Sequence, residues 1–265
     1  GHCMPELIIL EPDYLVDVTT VSEISADAEN IGFHLLTKKF ITQAVTSSLL
    51  EGHAANLFLD NLVKNPDAGF REIFTELFHT YPLVLAKYDD DKLKELYENC
   101  KLHYSTLKWV TQKEFPKYNI FSDGIFVEPS FINPVIGIQG RLDILFRGDN
   151  NNQSIIELKS GKPFMENKYG LSRSHHYQTL LYDMLVKAVS RHDATTSCFI
   201  LYSNLGEQGL RYAPPVKSMQ NEALRVRNQI FALEKQISVN GNLENIISDL
   251  SLDDKSLKGF LYSNW

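Results

Sequence analysis

Gly137-Ile-Gln-Gly140-Arg-Leu-Asp143-Ile-Leu-Phe146, followed by Ser154-Ile-Ile-Glu157-Leu-Lys159-Ser-Gly161, decides how this chain reads. Two runs rich in β-branched and aromatic residues flank Arg147-Gly-Asp-Asn-Asn-Asn-Gln153, a cluster of turn formers. That pattern predicts a β-hairpin. Alternate strand residues share a face, so Glu157 and Lys159 point one way and Ile156 and Leu158 point into a core. Asp143, on the partner strand, falls where it can share the face of Glu157.

Two carboxylates converging on one point are costly unless a proton or a cation lies between them. A hard divalent cation with oxygen ligands and retained waters answers that need, and Mg or Mn fits best. The backbone carbonyl of Leu158 is a candidate further ligand beside Asp143 and Glu157. Such an ion acidifies a bound water and holds a phosphoryl oxygen. Lys159 then positions the attacking water or neutralises charge developing on the phosphate. Lys162 adds positive charge just past the strand. This is the equipment of metal-dependent phosphodiester hydrolysis.

A third stretch, His175 to Val189, carries apolar residues at Tyr177, Leu180, Leu181, Met184, Leu185 and Ala188, a helical period. Gln178 and Tyr182 are spaced i, i+4 on one face, with His175 one turn earlier. That face can reach a scissile phosphate or base edges. Taken singly, each feature has a plain structural use: an Asp at a strand edge, a solvated Glu-x-Lys face, a Gln-Tyr pair between surface and core. Their order and spacing together favour chemistry.

Gly140-Arg-Leu-Asp143, Glu157-Leu-Lys159-Ser-Gly161 and Gln178-x-x-x-Tyr182 resemble the signature of the PD-(D/E)XK nuclease superfamily, RecB-like branch. The likeness is greatest to the nuclease domain of replication helicase–nucleases that trim Okazaki flaps. Weaker likeness extends to Leu7–Leu15, Phe126-Val-Glu128-Pro-Ser and Phe199-Ile-Leu-Tyr202, so it covers about residues 7 to 235. The resemblance implies an α/β, restriction-endonuclease-like mixed central sheet flanked by helices. It also implies DNA as substrate, single-stranded or flap, with catalytic roles for Asp143, Glu157, Lys159, Gln178 and Tyr182. Lys162, Arg173 and His175 are expected to bind substrate, and a helicase is expected in the same chain or complex. A restriction-type endonuclease or stand-alone exonuclease would share this site. So would a catalytically inactive nuclease fold that binds nucleic acid or a partner.

Two departures stand out. The family places a metal-binding His four residues after a Gly on an early helix. Here Asn56 holds that position after Gly52, and His53 follows the Gly directly. His53 and Asn56 are i, i+3, so either can approach the metal. Many relatives also hold an iron–sulfur cluster with four Cys. This chain has only Cys3, Cys100 and Cys198, at no short spacing, so no iron–sulfur cluster is expected.

Composition sets the outer bounds. The 265 residues suit one large domain or a domain with a helical appendage, and a hydrophobic share of 43% is ordinary for a globular protein. No apolar run approaches the ~20 residues of a membrane span. Gly1-His2-Cys3 ahead of Met4 reads as a vector remnant, and no basic-then-apolar secretory leader is visible. Three unpaired Cys suit a reducing compartment, and a cytoplasmic location is expected. The net charge of −7 is unlike a DNA-coating protein, yet contact with nucleic acid depends on local basic density. Lys159, Lys162, Lys168 and Arg173 supply that density, and Lys38 and Lys39 either add to it or form a solvated helix face. No phosphate loop, His-Glu-x-x-His or Cys-x-x-Cys motif is present, and nothing in the sequence points to a Ser-His-Asp triad.

The chain divides on this reading into a mostly helical part over 5–118, the nuclease core over 119–240 and a helical tail over 241–265. An extended segment is predicted over 5–18, helices from about Ala26 to Lys64 with a break near Thr46, and helices over 70–78 and 91–115. A polar loop over 163–174 precedes the Gln178 helix. A strand over 196–203, a short hairpin partner over 209–213 and a helix over 218–237 complete the pattern.

Overall fold

The structure, a computed structural model, describes residues 5–27, 31–40 and 46–240. The predicted hairpin is its centre. Strands β5 (Ile144–Arg147) and β6 (Asn152–Lys159) pair antiparallel, with Ile144 opposite Ile156. The polar cluster between them makes a short 3₁₀ turn at Asp149–Asn151. Strand β2 (Ile125–Val127) borders β5, while β7 (Thr195–Tyr202) runs parallel to β6 and β8 (Leu210–Tyr212) closes the far edge. The five-stranded order is therefore β2-β5-β6-β7-β8. The parallel step from β6 to β7 passes through helix α7 (Arg173–Val189), as a parallel neighbour requires a crossover. A second, three-stranded sheet is ordered β1 (Val16–Asp17), β4 (Ile138–Arg141), β3 (Ser130–Asn133).

Both faces of the larger sheet are buried. Leu145, Ile155, Cys198 and Ile200 pack with α1 (Val18–Ala26), α7 and α8 (Lys217–Asn240). Ile144, Phe146, Ile156, Leu158, Phe199 and Leu201 pack with α3 (Ser47–Lys64), α4 (Phe70–Thr80) and α6 (Asp90–Trp109). Helices on both faces of a mixed sheet, with a mostly helical N-terminal half, are the expected fold class. The helices before residue 119 and the strands after it share one of these cores. The tail over 241–265 and Cys3 lie outside the described residues.

The segment over 5–18 departs from expectation. Only Val16–Asp17 forms a strand, pairing with β4, and α1 begins at Val18, not near Ala26. The β-branched side chains of Val18-Thr-Thr-Val favour extended backbone. Tertiary packing overrides that preference: Val18, Val21 and Ile24 are buried against α7, and Asp17 caps the helix by accepting from the Thr19 N–H at 2.8 Å. Helix α2 (Ile31–Phe40) and the short α5 (Pro82–Leu85) complete the N-terminal half, and a single π turn at Val110–Glu114 ends α6.

The N-terminal segment is held by Arg227 of α8, which is fully buried. Its guanidinium donates to the carbonyls of Gly137 at 3.1 Å and Glu11 at 2.7 Å, and also to those of Leu10 and Tyr14. Gly137 has a φ of +66°, and a Cβ there would overlap the guanidinium, so only Gly serves both needs. Replacing Arg227 with Met removes this donor from all four carbonyls; those of Gly137 and Glu11 keep the Val16 and Tyr14 N–H groups, while a buried cation-shaped space is left for an apolar side chain. We expect a loss of about 3 kcal/mol in urea unfolding, and a midpoint matching the parent protein would refute this role.

Among the described residues, no helix is long and apolar enough to cross a membrane.

Candidate active site

The chain leaves β4 and bends at Leu142-Asp143 before entering β5, so Asp143 sits where the two sheets diverge. Extending the hairpin register by one step sets Asp143 opposite Glu157. Its Oδ2 accepts from the Leu158 N–H at 2.6 Å, and its own carbonyl accepts from the Glu128 N–H at 2.9 Å. Burial, then the neighbouring Glu157 charge, raises the Asp143 carboxyl well above the usual carboxylate range.

Glu157 points from the α7 side of the sheet and is buried. Its Oε1 accepts from Lys159 Nζ at 2.9 Å and from Gln178 Nε2 at 2.6 Å. Lys159 Nζ also donates to Gln178 Oε1 at 2.8 Å, which closes a three-membered ring of side chains. Burial pushes Lys159 down, but the Glu157 and Asp143 carboxylates outweigh it and hold the ammonium above its ordinary pKa. Glu157 Oε2 is buried and has no hydrogen-bond partner.

Gln178 and Tyr182 line up behind this ring. Gln178 Nε2 also reaches Tyr182 Oη at 3.3 Å, and that hydroxyl donates to the Arg141 carbonyl at 2.7 Å. A Cβ on Gly140 would stand only 2.9 Å from the Tyr182 ring and from Val18, so the glycine of the Gly140–Asp143 run lets α7 close on β4. The sequence places this helix face against substrate. In the structure both residues are buried with their polar atoms already engaged, so they position Glu157, Lys159 and the Asp143 strand.

Leu158 and Lys159 of the site also line an adjoining cleft of about 850 Å³, with Asn56, Lys162, Arg173 and His175; Asp143 and Glu157 lie behind that lining. Of the two early-helix residues, Asn56 faces this cleft. His53 does not: it is exposed and stacks on Tyr81, with ring centroids 5.2 Å apart. The phase of α3 turns it toward Tyr81, after α4, and helix spacing alone does not reveal that neighbour. Among the described residues, no three His, Cys, Asp or Glu side chains converge as a ready ligand set.

The basic cluster also divides. Lys162 is exposed at the cleft. Arg173 pairs with Glu222 at 3.1 Å and donates to Tyr177 Oη at 3.3 Å, so its charge is largely committed. His175 Nδ1 lies 3.0 Å from Tyr202 Oη; burial, then the Lys159 charge, pushes its pKa down to about 4. At neutral pH it offers a hydrogen bond and no positive charge. Lys38 and Lys39 pair with Glu23 at 2.6 Å and Glu234 at 2.7 Å.

Asp60, one turn beyond Asn56 on α3, was not singled out by the sequence reading. Burial, then the Glu128 charge, pushes its pKa up to about 6, and its charge acts in turn on Asp143. The i, i+4 spacing of Asn56 and Asp60 was the available signal. A Ser-His-Glu chain also appears in space: Ser203 Oγ is 2.8 Å from His103 Nδ1, and His103 Nε2 is 3.9 Å from Glu51 Oε2. Ser203 and His103 are buried inside the core, closed to any substrate, so this chain is a structural brace.

The donor set fits a hard divalent cation. A buried carboxylate oxygen without a partner is costly unless something fills the role, and Glu157 Oε2 is such an atom beside a second carboxylate. Asp143 and Glu157, with the Leu158 carbonyl and the Asn56 side chain as further oxygen donors, would hold Mg or Mn there.

No family model matches the chain, and no curated protein matches it by sequence. Solved structures do. A presumptive exonuclease from Eubacterium rectale superposes with a TM-score of 0.52 at 12% sequence identity, covering 89% of this chain and 88% of that one. That likeness shows a shared fold. A second structure, SSO0001, covers 86% of this chain and 97% of its own at 15% identity, with a TM-score of only 0.31.

Proposed function

We propose that the protein is a metal-dependent deoxyribonuclease of RecB-like type that hydrolyses phosphodiester bonds in single-stranded or flap DNA. The observation that carries this reading is the unpartnered, buried Glu157 Oε2 beside Asp143, with Lys159 held 2.9 Å from the opposite carboxylate oxygen. The bound ion would supply an acidified water and charge compensation at the phosphate. The chain's residues do the rest. The Leu158 N–H fixes Asp143, and Gln178 fixes both Glu157 and Lys159. Lys159, kept protonated by its carboxylate neighbours, presents a positive charge to the phosphate as negative charge builds. Lys162 steers the strand toward the cleft. The fold likeness to a presumptive exonuclease supports a nuclease; the helicase partner and a role in replication or repair rest on the sequence resemblance alone.

The test is incubation of labelled single-stranded, flap and duplex DNA, and of RNA, with Mn, resolved on a denaturing gel. Cleavage of DNA that stops with EDTA is the expected result. Unchanged bands on every substrate would favour an inactive nuclease fold that binds nucleic acid.

Two finer expectations arise from the geometry. Asn56→Ala should weaken Mn binding by at least about tenfold, since loss of a neutral oxygen donor costs no less than loss of an outer-sphere partner, while His53→Ala should leave it unchanged. Isothermal titration with Mn separates the two, and the reverse pattern would displace Asn56 from the site. Gln178→Ala should lower kcat more than it raises KM for DNA, because the side chain acts through Glu157 and Lys159. A pure KM effect would instead mean direct contact with substrate.

A further inference from the structure

Phe164 and Met165 are adjacent, large and apolar, yet 76% and 79% exposed. Both line the cleft that holds Lys159 and Lys162. Single exposed apolar side chains are common and need no account. These two differ, because the loop presenting them is tied down on both sides. The Phe164 N–H donates to Ser172 Oγ at 2.7 Å. Asn167 Oδ1 accepts from the N–H groups of Tyr169 at 2.9 Å and Leu171 at 3.2 Å. Arg211 pairs with Glu166 at 3.2 Å and donates to the Gly170 carbonyl. Met165 itself sits at a φ of +46°, a conformation that L side chains rarely adopt. The chain thus holds two apolar side chains out in water, at a cleft mouth, in a fixed and strained geometry.

We propose that Phe164 and Met165 form a base-stacking rim that admits single-stranded nucleic acid to the cleft of Lys159 and Lys162, beside the Asp143–Glu157 pair. The proposal rests on the nuclease reading of that cleft and adds to it the device that selects the strand. An exposed aromatic face beside a lysine is the arrangement that binds unpaired strands, because every base has a π-face and every nucleotide a phosphate. Lys162 lies two residues before Phe164 and serves the backbone. The acidic group on the lining, Asp27, is occupied by His34 at 2.8 Å. Bases inside a duplex are already stacked on one another and cannot use the rim.

The experiment uses fluorescence anisotropy with three labelled probes: an oligo(dT) strand, a strand of the same length built from abasic residues, and a blunt duplex. Binding is measured for the parent protein, Phe164→Ala and Met165→Ala, with Mn-dependent cleavage of the dT strand followed in parallel. The parent should bind the dT strand about tenfold more tightly than the abasic strand. Phe164→Ala should erase most of that difference while binding the abasic strand as before. Equal losses on both strands, or no loss on either, would overturn the stacking rim; so would equal affinity of the parent for duplex and single strand. If the base-dependent pattern appears without any cleavage, the rim stands and the nuclease reading falls. If the protein cuts DNA and Phe164→Ala changes neither affinity nor KM, the nuclease reading stands and the rim falls.

Discussion

Asp143→Asn should leave no Mn-dependent cleavage above the no-enzyme background, and should lower Mn affinity by at least about a hundredfold, since loss of a direct ligand exceeds that of an outer-sphere partner. The same substitution should make the metal-free protein more stable. Asn retains an oxygen for the Leu158 N–H, which Asp143 now engages at 2.6 Å, and removes the repulsion with Glu157. Because burial and Glu157 raise the Asp143 pKa in the folded state, the native protein binds that proton more tightly than the unfolded chain does. Stability from this group is therefore fully present below the unfolded value of 3.8 and declines as pH rises through the raised folded value. Thermal melts of the metal-free protein from acid to neutral pH should show that decline, and the Asn variant should lack it. Added Mn should stabilise the parent protein and not the variant. Full cleavage by Asp143→Asn, or an unaltered pH slope, would remove Asp143 from the site.

Lys159→Ala should reduce kcat by about a hundredfold or more, the scale of losing one preorganised electrostatic group. Mn binding should persist and even tighten, because an ammonium that competes for the Glu157 carboxylate is gone. The folded state should survive: Gln178 still donates to Glu157 Oε1 at 2.6 Å. Isothermal titration with Mn, alongside circular dichroism, separates loss of chemistry from loss of metal. A folded Lys159→Ala protein that no longer binds Mn would assign Lys159 to building the metal site and not to stabilising charge on the phosphate.

What was legible in the sequence is what local physics controls. Alternation in Ser154–Lys159 and the turn formers at 147–153 specify the hairpin, and a one-residue slip would turn Glu157 into the opposite core. The period of His175–Val189 specifies α7, and the spacing of Gln178 and Tyr182 puts them on one face. These elements and the fold class follow from short-range pattern, which is why they could be read. What lay beyond reach depends on neighbours distant in the chain. Val18-Thr-Thr-Val became helix because α7 covers it. His53 stacks on Tyr81 outside the cleft, and Arg173 was engaged by Glu222. His175 lost its charge to burial and to Lys159. Most of all, the sequence by itself determined which groups could carry the chemistry, while only the tertiary structure decided which stay free. Hydrogen bonding is an exclusive choice among partners: Gln178 and Tyr182 spend theirs inside the protein, and Glu157 Oε2 alone of its carboxylate is left unpaired.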